Sequence, residues 1–104
     1  DVADRAAVYR KRREYMLTRL DQMGLTYPRP EGAFYVFPDI SRYGMDSETF
    51  CIRLIEEGGL AAVPGSCFGA EGYIRLSYCY SDGELQRGLD RLEAFISTLE
   101  GGKT

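Results

Sequence analysis

Histidine is absent from this 104-residue chain. No serine or cysteine in it can therefore form the nucleophile–histidine pair used in much covalent catalysis. Three cysteines, Cys51, Cys67 and Cys79, are an odd number with no C-x-x-C spacing. That argues against a disulfide framework and, with no histidine, against a zinc site; reduced thiols in a cytoplasmic protein are the expectation. Lysine occurs only at Lys11 and Lys103. The net charge is −3 and the isoelectric point near 4.9, the wrong sign for a general nucleic-acid or acidic-membrane binder. Nowhere does an apolar run approach the ~18–20 residues that span a bilayer, and the first residues lack the apolar stretch of a signal peptide. Internal repeats and low-complexity linkers are missing too.

What is present suits one small globular domain. At 44% hydrophobic and 28% charged the composition is ordinary for a soluble protein. A chain of this length buries roughly 60–68% of its unfolded surface, enough for a modest core.

The patterning predicts helices near 2–23, 47–57 and 82–99 and strands near 33–37, 61–63 and 73–78. In the first helix Val2, Ala6, Tyr9, Met16, Leu20 and Met23 recur every three or four residues, and Gly24 stands where a terminating glycine belongs. Asp1 has no capping partner, so the helix is expected to begin upstream. The run Arg10-Lys11-Arg12-Arg13 reads as a solvated or domain-facing surface, diluted by Asp4, Glu14 and Asp21. Leu25-Thr26-Tyr27 could form a short strand before Pro28-Arg29-Pro30. Gly32-Ala33-Phe34-Tyr35-Val36-Phe37 is aromatic and β-branched, bounded by glycine and proline, and is expected to be a strand covered on both faces. Gly44 is the expected turn residue of the loop that follows. Asp46 or Ser47 caps the second helix, whose apolar face is Phe50, Cys51, Leu54 and Ile55 and which stops at Gly58-Gly59. Cys51 reads as a small core residue. The last helix opens on the capping box Ser81-Asp82-Gly83-Glu84 and repeats Leu85, Leu89, Leu92, Ile96 and Leu99. The order predicts an α+β fold in two layers, a small, mostly antiparallel sheet with helices packed on one face.

The stretch Ala61 to Ser81 carries the chemistry. Strand alternation puts Ile74, Leu76 and Tyr78 on one face and Tyr73, Arg75 and Ser77 on the other. Arginine offers a planar fork of donors that fits a carboxylate or phosphate in bidentate fashion. Taken alone, Arg75 reads first as an ordinary cation on the wet face of a half-buried sheet, and only second as an anion clamp.

Several ordered pieces change that balance. Pro30-Glu31-Gly32-Ala33-Phe34-Tyr35 resembles the P-x-G-A-F-Y strand of the class I/II aminotransferases, the fold type I pyridoxal-phosphate enzymes. Val63-Pro64-Gly65-Ser66-Cys67-Phe68-Gly69 resembles their V-x-P-G-x-x-F-G loop without the spacer between valine and proline, and Tyr73-Ile74-Arg75-Leu76-Ser77-Tyr78 their [YF]-[VI]-R-[LI]-S strand. Arg12-Arg13 match the helix that leads into the small C-terminal domain of such enzymes. The resemblance covers nearly the whole chain and implies that residues 1–104 are that small domain, a fragment of a larger chain.

It further implies that Arg75 binds the substrate α-carboxylate and that Phe34 lies on the substrate side. The reaction implied is amino-group transfer between an amino acid and a 2-oxo acid by way of pyridoxal 5'-phosphate, in a homodimeric enzyme whose large domain holds the cofactor. Neither lysine matches the family's Schiff-base motif. No catalytic, cofactor-binding or metal-binding residue is therefore expected in this chain, no cofactor is expected bound to it, and alone it is expected to be inactive. Related lyases and decarboxylases share the same small domain. The competing readings are a stand-alone regulatory or ligand-binding module and an RNA-binding domain. Against the latter, the Gly32–Phe37 strand lacks the basic residue and the aromatic that RNA-recognition strands carry.

Overall fold

Twenty-two residues without glycine or proline, Val2–Met23, form helix α1. Gly24 ends it in the left-handed region (φ 80°), with its N–H on the Asp21 carbonyl at 3.0 Å and that of Leu25 on Leu20 at 3.0 Å. These paired bonds satisfy two carbonyls that a helix end leaves orphaned. The computed structural model describes residues 2–28, 34–78 and 80–101. Asp1, Arg29, Pro30, Glu31, Gly32, Ala33, Cys79 and Lys103, named above, lie outside them.

The remaining elements are β1 (Tyr35–Val36), α2 (Ser47–Arg53), β2 (Val63–Pro64), β3 (Ile74–Ser77) and α3 (Asp82–Gly101). The sheet is antiparallel with β3 in the middle, in the order β1-β3-β2. Tyr35 pairs with Ser77 and Val36 with Leu76, and the same register runs on to a bridge between Asp39 and Tyr73. Pro38 stands in between and has no N–H to give, which keeps β1 short. On the other side Val63 pairs with Arg75 and Pro64 with Ile74. The α+β, two-layer expectation is therefore met. Val36, Ile74, Leu76 and Tyr78 turn one sheet face into a core shared with Met16 and Leu20 of α1, Phe50 of α2 and Leu85, Leu89 and Leu92 of α3.

Several local expectations need correction. Leu25-Thr26-Tyr27 is not a strand; it meets the sheet region through a single bond, Asp39 N–H to the Thr26 carbonyl at 2.8 Å. The strand expected at 61–63 is displaced to Val63–Pro64. α2 stays α-helical only to Arg53, and Leu54–Gly58 continue as a wider π-type turn that closes on Gly59 (φ 72°). The wider turn keeps Leu54 fully buried but swings Ile55 outward, so Ile55 is exposed rather than part of the apolar face. In α1 the stripe is real from Met16 onward, Tyr9 is half-buried and Ala6 is exposed, because the first turns run beyond the elements that cover the rest. β1 is not covered on both faces: Phe34 and Tyr35 are exposed by 45% and 37%.

Candidate functional site

Arg75 occupies the centre of the sheet, on the middle strand, with Val63 as its direct neighbour on β2. Its neighbours Ile74 and Leu76 are buried while Arg75 and Ser77 are half-buried, so the alternation read from the sequence is the one observed. The guanidinium lies over the Tyr35 ring at 4.3 Å from its centroid and 6.0 Å from that of Phe68. Phe68 in turn meets Phe37 edge-on at 5.2 Å. Arg75 is thus bracketed by aromatic faces on the side of the sheet turned away from the helices.

Its electrostatic state sets it apart. Among the described residues the half-buried arginines are Arg12, Arg13, Arg19, Arg53 and Arg75. Arg12 pairs with Asp82 at 3.0 Å, Arg13 with Glu14 at 3.6 Å, Arg19 with Asp90 at 2.8 Å and Glu93 at 3.0 Å, and Arg53 with Glu57 at 2.8 Å. Among the described residues no carboxylate pairs with Arg75. A fork of donors on a rigid strand, held by rings and not by an acid, can receive a carboxylate or phosphate without first losing an internal salt bridge.

The loop beside it is built by close backbone approach. Gly65 gives its N–H to the Tyr73 carbonyl at 2.8 Å and accepts from Ala70 at 2.8 Å. A Cβ at Gly65 would sit 1.9 Å from the Ala70 carbonyl oxygen, so only glycine fits. The short 3₁₀ turn Gly65–Phe68 that follows presents Phe68 to Arg75. A network that sequence reasoning missed ties this turn to α2. Ser47, fully buried, accepts from the Ser66 N–H at 3.1 Å, while its own N–H and hydroxyl reach the Glu71 carboxylate at 2.8 and 3.1 Å. Asp46 is the cap, accepting from Thr49 N–H at 2.7 Å. Glu71, an acid standing before Gly72 in the loop, was the only signal, and it is a weak one.

Phe34 is not brought together with Arg75. Alternation sends it to the helical side, where it meets Tyr9 edge-on at 5.0 Å and Tyr78 at 6.2 Å. Tyr35 takes the place beside Arg75 instead, and only the strand register could have revealed that. Of the thiols, Cys51 is buried and Cys67 exposed. Burial, with Cys67 nearby, pushes the Cys51 thiol up to about 11, which leaves it protonated and inert at neutral pH. A cavity of about 310 Å³ between the sheet's end and α3, floored by Leu76, Leu85 and Leu89, does not reach Arg75. Lys11 lines a groove with Arg12, Tyr15 and Asp82 between α1 and α3, on the helical side. Among the described residues no helix is long and apolar enough to cross a membrane.

The model of the family described as aminotransferase class I and II matches residues 1–92. The chain belongs to that family. It is 50% identical over 90 residues to a probable N-acetyl-LL-diaminopimelate aminotransferase of Bacillus subtilis, covering 85% of this chain and 23% of that protein. It is 43% identical over 98 residues to an aspartate aminotransferase of Pyrococcus horikoshii, covering 91% and 24%. In three dimensions it resembles an aromatic aminotransferase from the same organism with a TM-score of 0.90 at 37% identity, over 95% of this chain and 27% of that one. A Thermus thermophilus aspartate aminotransferase solved with maleate gives 0.78 at 42% identity, over 84% and 22%. This aminotransferase-family chain thus spans about a quarter of the length of the relatives it matches.

Proposed function

We propose that the chain acts as the C-terminal small domain of a pyridoxal-phosphate-dependent aminotransferase, and that Arg75 binds the α-carboxylate of the amino-acid and 2-oxo-acid substrates. The observation that carries this reading is the acid-free guanidinium of Arg75 on the open side of a rigid sheet. The relatives are named for aspartate, aromatic substrates and, as probable, N-acetyl-LL-diaminopimelate, amino acids that differ in side chain and share an α-carboxylate. An arginine aimed at the shared group suits all of them. Maleate, the small molecule named with the Thermus relative, is itself a dicarboxylate.

The described residues do not fit the cofactor. Lys11 sits in an exposed groove on the helical side, away from Arg75, and Lys103 lies outside the described residues. The role of this chain is therefore what its own side chains do. Arg75 would hold the carboxylate at two points, which fixes the direction of the substrate's Cα–H bond as well as its charge. The open Arg75 face would close against a large domain and a second subunit, excluding water from the clamp. Phe34, on the other side of β1, would border the substrate away from the carboxylate that Arg75 holds. In isolation the chain would not transfer amino groups.

Kinetics of the complete enzyme test this. Losing one member of a desolvated charge pair costs about 2–5 kcal/mol. Arg75→Ala should therefore lower kcat/KM by roughly 30- to several-thousand-fold for every amino donor. Arg75→Lys should recover part of the charge but not the fork. Near-normal kcat/KM in Arg75→Ala would end the assignment.

A further inference from the structure

An arginine can be held in two ways with opposite consequences. A salt bridge holds it by the edge and spends its N–H donors. Stacking holds it by the face and leaves every in-plane donor available. Both modes occur here. Arg12, Arg19 and Arg53 lie over rings at 5.7, 5.8 and 5.8 Å, but their donors are taken by Asp82, by Asp90 and Glu93, and by Glu57. Arg75 is held by the rings of Tyr35 at 4.3 Å and Phe68 at 6.0 Å.

The two rings are themselves supported differently. Tyr35 comes from β1, where its partner Ser77 stands two residues along β3 from Arg75, so it reaches Arg75 across the strand diagonal. Phe68 comes from the 3₁₀ turn that Ser47 anchors through Ser66, and Phe37 backs it edge-on. Tyr35 is the closer of the two and is exposed by 37%, so its ring forms part of the wall of the open face.

We propose that Tyr35 is a positioning residue for substrate binding. It holds the Arg75 guanidinium by its face, with the donor edge turned to the open side, so that an incoming carboxylate meets an oriented fork. It acts through Arg75 and does not touch the reacting atoms. The proposal rests on the reading of Arg75 as the carboxylate clamp.

A double-mutant cycle in the complete enzyme tests it, with Tyr35→Phe, Tyr35→Leu, Arg75→Ala and the pair Tyr35→Leu/Arg75→Ala. Tyr35→Phe keeps the ring face and should stay within about twofold of wild type in KM. Tyr35→Leu should raise KM for both amino-acid and oxo-acid substrates by roughly 3- to 10-fold, with a smaller change in kcat. In the Arg75→Ala background it should add nothing, because the group it positions is gone. A Tyr35 with a structural role only would cost the same with or without Arg75. Should Tyr35→Leu fail to fold, Phe68→Leu gives the same readout, a smaller KM rise that vanishes without Arg75. Wild-type KM in the leucine variant, or an equal loss in both backgrounds, would overturn the role of Tyr35 and leave the Arg75 reading standing. Unchanged kcat/KM in Arg75→Ala alone would overturn both.

Discussion

Gly65 shows how little room a single position can leave. A methyl group there would lie 1.9 Å from the Ala70 carbonyl oxygen and 2.5 Å from that of Tyr73, both backbone atoms that cannot step aside. Gly65→Ala should therefore destabilise the fold by about 1–3 kcal/mol or more, read as a lowered urea midpoint. The sequence marked the loop by its family motif but could not say which glycine bears the crowding. The cysteines make a second prediction. Cys51 has an ordinary value of 9.0 raised to about 11, chiefly by burial. The fold thus favours its neutral thiol, and that stabilisation is complete below the ordinary value and fades as pH rises toward 11. At neutral pH iodoacetamide should modify exposed Cys67 quickly and Cys51 only on unfolding, as peptide mapping by mass spectrometry would resolve. Rapid labelling of Cys51 in the native state would contradict the buried site. The outward place of Arg75 on the middle strand was legible from strand alternation, and its candidacy as a site residue from the family motifs. Its partner Tyr35 was not, because which β1 residue faces Arg75 depends on a register that one sequence does not state.

Among the elements, α3 was the most legible and is the easiest to test. Ser81 and Glu84 form the reciprocal box the sequence announces: Glu84 N–H donates to the Ser81 hydroxyl oxygen at 3.2 Å, and the Glu84 carboxylate accepts from the Ser81 backbone N–H at 3.3 Å and hydroxyl at 2.8 Å. Ser81→Ala should cost about 0.5–2 kcal/mol. The Ser81 side-chain and backbone bonds hold the Glu84 carboxyl below its ordinary value, and the bond from Thr49 N–H does the same for Asp46 at the start of α2. A depressed carboxyl contributes stability above its ordinary value and loses it as pH falls through the lower folded one. Melting temperature should therefore drop on acidification from about pH 6 to about pH 2, and Ser81→Ala should flatten the part due to Glu84. An identical acid profile in the variant would count against the box. α2 was less legible because Leu54 and Ile55 are equally apolar. The widening that buries one and exposes the other follows from the Gly58-Gly59 stop closing back on Leu54 and Ile55. β1 was over-read because six apolar residues suggested burial on both sides, whereas the Tyr35 side faces outward beside Arg75.

At the scale of the molecule, 48 × 28 × 22 Å overall, α1 carries exposed residues from Arg5 to Val8, with Val8 exposed by 42%, and Phe34 stands uncovered near Tyr9. Exposed apolar side chains on a chain this small favour association with another surface. The 104-residue chain by itself should therefore self-associate weakly, and sedimentation across a concentration series reads this; a strict monomer at high concentration would contradict it. The family of the chain could be read from four ordered motifs, since they specify backbone and side chain together. What the Arg75 face would close against under the proposed function could not, because the chain spans only about a quarter of the length of the relatives it matches. The most direct test of the central claim is a crystal structure of the complete enzyme with a bound amino-acid or dicarboxylate analogue. The account predicts one carboxylate within about 3 Å of two Arg75 nitrogens, with the guanidinium still stacked on Tyr35. A carboxylate held by other side chains, with Arg75 turned away from it, would contradict the account.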